Sequence, residues 1–471
     1  MSPLRMLLLA SALCLTGCGE RTPQETVSGF VPPQDVTGTS AAPAKTSVPG
    51  TSVLFRNVRV FNGVDPVLKD ATDVLVRGNR IVQIGKADLA AETGMTIIDG
   101  GGRTLMPGLI DNHWHSLAAR PSIAVAMTAT AGYLNLLAAA EASDTLQRGF
   151  TTVRDVGGAS FGLKRAIDEG WQAGPRIYPS GAIIAITGGH GDFRSPDEVP
   201  RALGAAESRQ EIMGDTAIAD TPDEVRLRAR EQLMRGASQI KLTAGGGVSS
   251  PHSPLDVVAF TPEELRAAVV AANNWGTYVA AHAFTPETIR QSVEAGVQSI
   301  EHGVLMDEPT AQLMANHGTW LSIQPIPEEL LSAFPPDSDE YAKGRYAIAG
   351  IPRAYALAKK YKLKTAFGTD VLFSAALARR QGEMLASITK FGYTPAETLI
   401  MATGTNAQLL ALSGKRNPYP GKLGVVEVGA LADLLLVDGD PLSDISLITK
   451  PQQNFRVIVK DGRIYKNTIT R

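Results

Sequence analysis

The sequence predicts an α/β protein: a (β/α)8 barrel carrying a small β-sandwich formed from both chain ends. Three observations carry this reading. First, eight apolar, strand-like runs alternate with helical stretches: LIDNHWH, TTVRDVGG, RIYPSGAII, QIKLTAGGG, YVAAHAF, SIEHGVL, WLSIQPI and TAFGTDV. Buried parallel strands read as continuous apolar runs of this kind, and eight strand–helix units over about 300 residues fill one barrel. Second, the intervening helices carry start signals. Thr221-Pro222, Thr261-Pro262, Thr285-Pro286 and Thr394-Pro395 each offer a hydroxyl cap followed by proline, which is tolerated at the first helical position. Glu224, Glu264 and Glu397 complete capping boxes, and Gly276 follows ELRAAVVAANNW as a helix stop. Third, short β-rich runs separated by turn residues occur at both ends: SVLFRNVRVFNG and DVLVRGNRIVQIG early, ADLLLVDGD and FRVIVKDGRIY late. These place the sandwich at 53–107 and 416–471 and the barrel at 108–415.

The chain has 471 residues, 44% hydrophobic and 20% charged. That is globular composition, with length for more than one domain. A net charge of −2 and the lack of a basic patch argue against nucleic acid as a partner. The start, MSPLRMLLLASALCLTGC, has a basic residue, an apolar run and then small residues. It reads as a secretory signal, too short for a stable membrane span. LTGC resembles the bacterial lipobox, which implies cleavage before Cys18 and a lipid on its thiol. Residues 1–18 are then a lipoprotein signal peptide. Residues 19–52, rich in Pro, Thr, Ser, Gly and Ala, are a disordered tether. The expected location is the bacterial envelope, exported to the periplasmic side and held to a membrane by the lipid. Cys14 leaves with the signal, so the mature chain has no disulfide.

Function in such a barrel collects at the C-terminal strand ends. The first offers His113 and His115, the fourth Lys241, the fifth His282, the sixth His302 and the eighth Asp370. Burying any of these without a partner costs a few kcal/mol. Four imidazoles and a carboxylate facing one mouth suit zinc or a similar divalent ion. An ammonium at Lys241 is out of place among cations. A carbamate formed with carbon dioxide is anionic, and its oxygens bridge two ions roughly 3.5–4 Å apart.

PGLIDNHWH, the strand-four lysine, the two later histidines and the strand-eight aspartate resemble the amidohydrolase superfamily of TIM barrels. TTVRDVGG, TGGHGD and KLTAGGGVSSP are similar to the branch of imidazolonepropionase-like proteins and Xaa-Pro or Xaa-Arg/Lys dipeptidases, with ochratoxin-type amidases nearby. The resemblance implies a binuclear centre. It assigns His113, His115 and Asp370 to one ion, His282 and His302 to the other, and N-carboxylated Lys241 to both, with zinc the expected metal. It further implies hydrolysis of an amide in a dipeptide or N-acyl amino acid by a hydroxide bridging the ions, with Asp370 as the proton carrier. Homo-oligomers recur among such relatives.

The remaining candidates carry alternatives. His190, past strand three, is expected to polarise the scissile carbonyl or to hold a substrate carboxylate. His252, in the loop after strand four, is equally a substrate ligand or a structural residue. Arg194 and Arg201, in a lid or wall spanning 188–220, are candidate carboxylate clamps. Arg154 and Asp155 read as a barrel ion pair, His317 as structural, and Lys241 has a salt-bridging lysine as its bland alternative. The AGGGV glycines lack the GK[ST] of a P-loop and are expected to let the backbone approach the metals or substrate. Another cyclic or aryl amide, or a lactone, is an alternative substrate. A deaminase lacks its HxxE spacing in AAHAFTPE. An inactive lipid-anchored binding protein is the reading from a different class.

Overall fold

A computed structural model describes residues 52–85 and 94–469. The expected signal peptide, Cys18 and the tether lie outside the described residues, apart from Ser52 at the start of the first strand. In chain order the strands are β1 (Ser52–Phe61), β2 (Leu68–Arg77), β3 (Arg80–Ile84), β4 (Thr96–Asp99), β5 (Thr104–Pro107), β6 (Leu109–Trp114), β7 (Phe150–Asp155), β8 (Arg176–Pro179), β9 (Ile183–Ala185), β10 (Thr216–Ile218), β11 (Ile240–Thr243), β12 (Val279–Ala283), β13 (Ser299–His302), β14 (Trp320–Ile323), β15 (Thr365–Phe367), β16 (Leu434–Val437), β17 (Phe455–Lys460) and β18 (Arg463–Asn467).

Strands from both chain ends form one sheet, β18-β17-β16-β5-β1-β2-β3, with β4 also on β1. Successive side chains of a strand point to opposite faces. Leu434, Leu436, Val457 and Val459 therefore pack into a core belonging to this sheet, with Val53, Phe55 and Leu105. Leu435, Val437, Ile458 and Met106 face the other way, into the barrel core. Both faces are buried, so LLLV carries no polar alternation.

The barrel strands are parallel and lie in two arcs, β6-β7-β8 and β10-β9-β11-β12-β13-β14-β15. The expected third strand, RIYPSGAII, breaks at Ser180–Ala182 into β8 and β9. Gly181 there has φ 76°, a left-handed backbone that glycine adopts without a Cβ clash. The break is bridged by Ser238 N donating to Pro179 O at 2.7 Å. β10, unexpected from the sequence, extends the arc from β9.

The barrel closes between its first and last strands through a side chain. Asn406 Nδ2 donates to Ile110 O (2.7 Å) and Phe367 O (2.9 Å), and its Oδ1 accepts from Phe367 N at 2.9 Å. Asp370 N completes the seam on His113 O at 2.8 Å. Gly368 makes it possible, because a Cβ there would overlap the backbone of His113.

All four threonine caps form, accepting from amide N–H groups of the first turn. Capping boxes close at Thr261/Glu264 and Thr394/Glu397. The one expected at Thr221 does not: the Glu224 carboxylate reaches Asp220 N instead, at 2.9 Å. Among the described residues no helix is long and apolar enough to cross a membrane.

Candidate metal centre and active site

One cavity of about 200 Å³ opens at the C-terminal strand ends, and His113, His115, Lys241, His282, His302, Asp370 and His190 all line it. His113 is the penultimate residue of β6, before Trp114, and His115 follows the strand. His282 and His302 come from the neighbouring strands β12 and β13, Lys241 from β11 and Asp370 from the turn after β15. His113 Nε2 and His115 Nε2 stand 3.4 and 3.3 Å from Asp370 Oδ1. His302 Nδ1 is 3.9 Å from Asp370 Oδ2. Ligand atoms of His113, His302 and Asp370 all lie within 4.8 Å of one another. The His282 and His302 ring centroids are 4.4 Å apart. The Asp370 carboxylate thus stands between the two expected ligand sets, facing His113 and His115 with one oxygen and His302 with the other.

Backbone and carboxylate partners orient the rings. His113 Nδ1 meets Glu301 Oε2 at 2.8 Å, His115 Nδ1 meets Gly157 O at 3.2 Å, and His282 Nε2 meets Gly246 O at 2.9 Å. Each contact fixes the tautomer with its N–H outward and leaves a lone pair for the centre. Burial first, then the Lys241 charge, keeps His113 neutral well below its usual range. Burial together with neighbouring imidazoles does the same for His282 and His302. Neutral imidazole is the form that ligates a metal. Burial brings the Lys241 amine down to about 8, against the pull of Glu301 and Asp370.

Two of these side chains sit on left-handed backbone: His302 at φ 73° and Asp370 at φ 52°. Non-glycine residues held there cost about 1–3 kcal/mol and cluster at functional sites. At His302 the consequence is visible. A regular strand points consecutive residues to opposite sides, yet Glu301 and His302 both reach the barrel interior.

Beneath the histidines lies a charged layer. Arg154 donates to both Glu301 oxygens at 2.7 Å, to Asn112 O at 2.6 Å and to Tyr278 Oη at 3.1 Å. Burial alone raises Glu301, but Arg154, Lys241 and the Ser299 and Ser322 hydroxyls together outweigh it and hold the carboxyl below its usual range. Arg154 and Asp155 are therefore not a pair. Asp155 accepts instead from the amides of Ser116 (2.9 Å) and Gly157 (3.2 Å). They are neighbours on a strand, so their side chains leave on opposite sides. Glu301 and the fully bonded Asp111, which accepts from Thr369 and Gln381, are polar residues the sequence reading missed. The Glu in SIEH was their visible signal: an ionisable residue in a buried run.

His190 reaches the cavity from the loop after β9, and its Nδ1 meets Ser250 Oγ at 2.9 Å. That hydroxyl also accepts from Gly191 N at 3.0 Å and keeps its proton to offer His190 Nδ1. In that arrangement His190 carries its hydrogen on Nε2. Burial and Lys241 push its pKa down to about 3, so the ring is neutral. A side chain on Gly247 would overlap this ring, and one on Gly246 the Pro254 carbonyl. The AGGGV glycines make room for protein neighbours.

Three expected substrate residues lie elsewhere. His252 is exposed in a turn and does not line the cavity. It is Ser250, two residues earlier, that turns inward. Arg194 is engaged by Asp192 at 2.9 Å, and Arg201 by Glu224 at 3.3 Å. Among the described lining residues Lys241 is the one lysine or arginine, while leucine, isoleucine and phenylalanine side chains dominate the wall. The 188–220 stretch does supply wall residues, among them Phe193, Gln210 and Asp215.

Residues 104–465 match the model of the amidohydrolase family. The chain belongs to that family. Ochratoxinase from Aspergillus niger is 31% identical over 382 residues, covering 77% of this chain and 75% of that relative. A crystal structure of a prolidase complexed with N-methylphosphonate-L-proline has a TM-score of 0.79 at 31% identity, covering 88% of this chain and all of that one. A Xaa-Pro dipeptidase with methionine bound in its active site gives 0.75 at 30% identity, again over 88% of this chain. The chain is thus a hydrolase of amides, with small-molecule substrates.

Proposed function

We propose that this amidohydrolase uses two divalent ions, zinc the foremost candidate, to cleave the amide of a dipeptide or N-acyl amino acid with bulky apolar groups. One observation carries the reading: neutral imidazoles, a desolvated lysine and a carboxylate converge on one cavity with nitrogens aimed inward. The donor set fits such ions, because His113 and His115 keep Nε2 free while their Nδ1 atoms are occupied. His113, His115 and Asp370 would hold one ion, His282 and His302 the other, and carboxylated Lys241 both. Its low amine pKa favours carbamate formation, since the neutral amine is the form that attacks carbon dioxide. Bound ions supply Lewis acidity and bring the pKa of water towards about 7.

Asp370 is poised to take a proton from the attacking water and return it to the leaving nitrogen. His190 Nε2–H donates to the carbonyl oxygen as negative charge develops there. The apolar wall excludes water and accommodates large groups on either side of the bond. Likeness to ochratoxinase, prolidase and Xaa-Pro dipeptidase supports an amide over a lactone.

The test is metal analysis combined with a screen of dipeptides and N-acyl amino acids on zinc- or manganese-loaded protein. About two ions per chain with turnover that chelator abolishes is the expected outcome. Protein that holds no ion and cleaves nothing is a binding protein, and the proposal falls.

A further inference from the structure

We propose that Asp215 is a specificity-determining residue that binds a protonated amine on the substrate. The inference rests on the amide-hydrolase reading of the cavity and narrows it, favouring a dipeptide with a free amino terminus over an N-acyl amino acid.

Asp215 immediately precedes β10, and its main chain is fixed on both sides. Its N–H donates to Gln210 O at 2.9 Å, and its carbonyl accepts from Ile183 N at 3.0 Å. The side chain lines the cavity on the flank next to His115 and Gly158. No hydrogen bond from the described residues reaches its carboxylate. Arg209 is the cation that faces it, but its Nε and Nη2 donate to the carbonyls of Met127 (2.8 Å) and Ala129 and no Arg209 hydrogen bond reaches the Asp215 carboxylate. Asp215 is half-buried, and the fully buried acids nearby differ. Asp155 accepts two backbone amides, and Asp111 accepts from Thr369 and Gln381. Asp370 is surrounded by imidazoles.

Apart from Asp370, which the proposed ions would engage, Asp215 is the one cavity carboxylate among the described residues, and its hydrogen-bonding capacity is open. A carboxylate in an apolar wall is costly until a partner arrives. A charge-assisted bond from an ammonium is the strong form of that partner. The converse holds for anions. With Lys241 at the centre and both lid arginines paired, the wall offers a substrate carboxylate no side-chain cation. The charge pattern therefore selects amines.

The test uses zinc-loaded enzyme at pH 8 and matched pairs: apolar dipeptides and the same dipeptides N-acetylated. For the wild type, kcat/KM is expected to favour the free amine by about tenfold or more. In Asp215→Asn that ratio falls to near one, and Asp215→Glu restores part of it. Should Asp215→Asn not fold, Asp215→Ser and the wild-type ratio serve the same purpose. A wild type without preference, or a variant that lowers both rates equally, overturns the role of Asp215 and leaves amide hydrolysis standing. Cleavage of neither member of any pair overturns both readings.

Discussion

Two clusters of buried polar side chains sit at opposite ends of this barrel and solve the same problem differently. At the N-terminal end, Arg176 at the start of β8 bonds both oxygens of Asp433 (2.8 and 3.2 Å) and Asp461 at 2.7 Å. Asp461 N returns to Asp433 at 2.6 Å, and Asn79 adds 3.1 Å to Asp461. Donors meet acceptors, and the terminal sheet is locked to the barrel. At the C-terminal end, His113 and His115 aim acceptor nitrogens at one acceptor oxygen of Asp370. Acceptor facing acceptor is no hydrogen bond. The first cluster is complete without a ligand; the second is the arrangement a bound cation would complete. Buried polarity alone identifies neither, and the match of donors to acceptors separates them.

Substitutions should pull the two ends apart. The largest effect belongs to the mouth: Asp370→Asn is expected to lower kcat by about 10³-fold or more, with most metal retained and the thermal midpoint little changed. Near-normal turnover would remove Asp370 as the proton carrier. At the other end the expectation inverts. Arg176→Met strands Asp433 and should cost about 3–5 kcal/mol of stability, read as a lower denaturation midpoint, with kcat per folded molecule intact. A fall in kcat with no change in midpoint would erase the distinction drawn here.

Glu301→Gln sharpens the picture from below the site. The amide keeps the shape but loses the charge that orients His113 and answers Arg154. Metal affinity should fall about 10–100-fold, measured by competition with a chelator. Unchanged affinity would make Glu301 a partner of Arg154 alone.

The smallest effect concerns Lys460, beside the Arg176 cluster. Burial, aided by Arg176, brings its amine from the usual 10.5 to about 8. The unfolded chain holds that proton more tightly, so the buried charge costs stability at pH 7. Between about 8 and 10.5 the unfolded state binds more protons than the folded one, and stability rises with pH. Lys460→Met should therefore be the more stable protein at pH 7, by about 1–3 kcal/mol, with the advantage fading as pH climbs through that window. A constant advantage in thermal scans at both ends would refute the desolvation account.

The barrel and the convergence of polar side chains at its mouth were legible because each candidate ligand interrupts an apolar run at its strand end, and burial makes such interruptions costly. What stayed hidden depended on geometry that sequence does not encode locally. Arg154 looked paired with Asp155 by adjacency, but strand alternation separates them and Glu301 lies across the barrel interior. Glu301 was masked by His302: alternation puts one of the two outside, and only the left-handed φ at His302 brings both in. His252 and Ser250 share a loop, and nothing in SSPHSP says which side chain turns inward. The split of the third strand follows from close packing around Gly181, which no propensity reports.

The seam at Asn406 sets an order on assembly. His113 lies in β6 and Asp370 just past β15, strands that no ladder in the two arcs joins, and one amide, contributed 36 residues after Asp370, ties Ile110 of the first to Phe367 of the last. A nascent chain cut short of that asparagine holds every candidate ligand and the Asp370–His113 and Thr369–Asp111 hydrogen bonds, yet lacks the amide that joins Ile110 to Phe367. Were the proposed ions bound, a complete seam around them would wait until Asn406 has been made and folded into place.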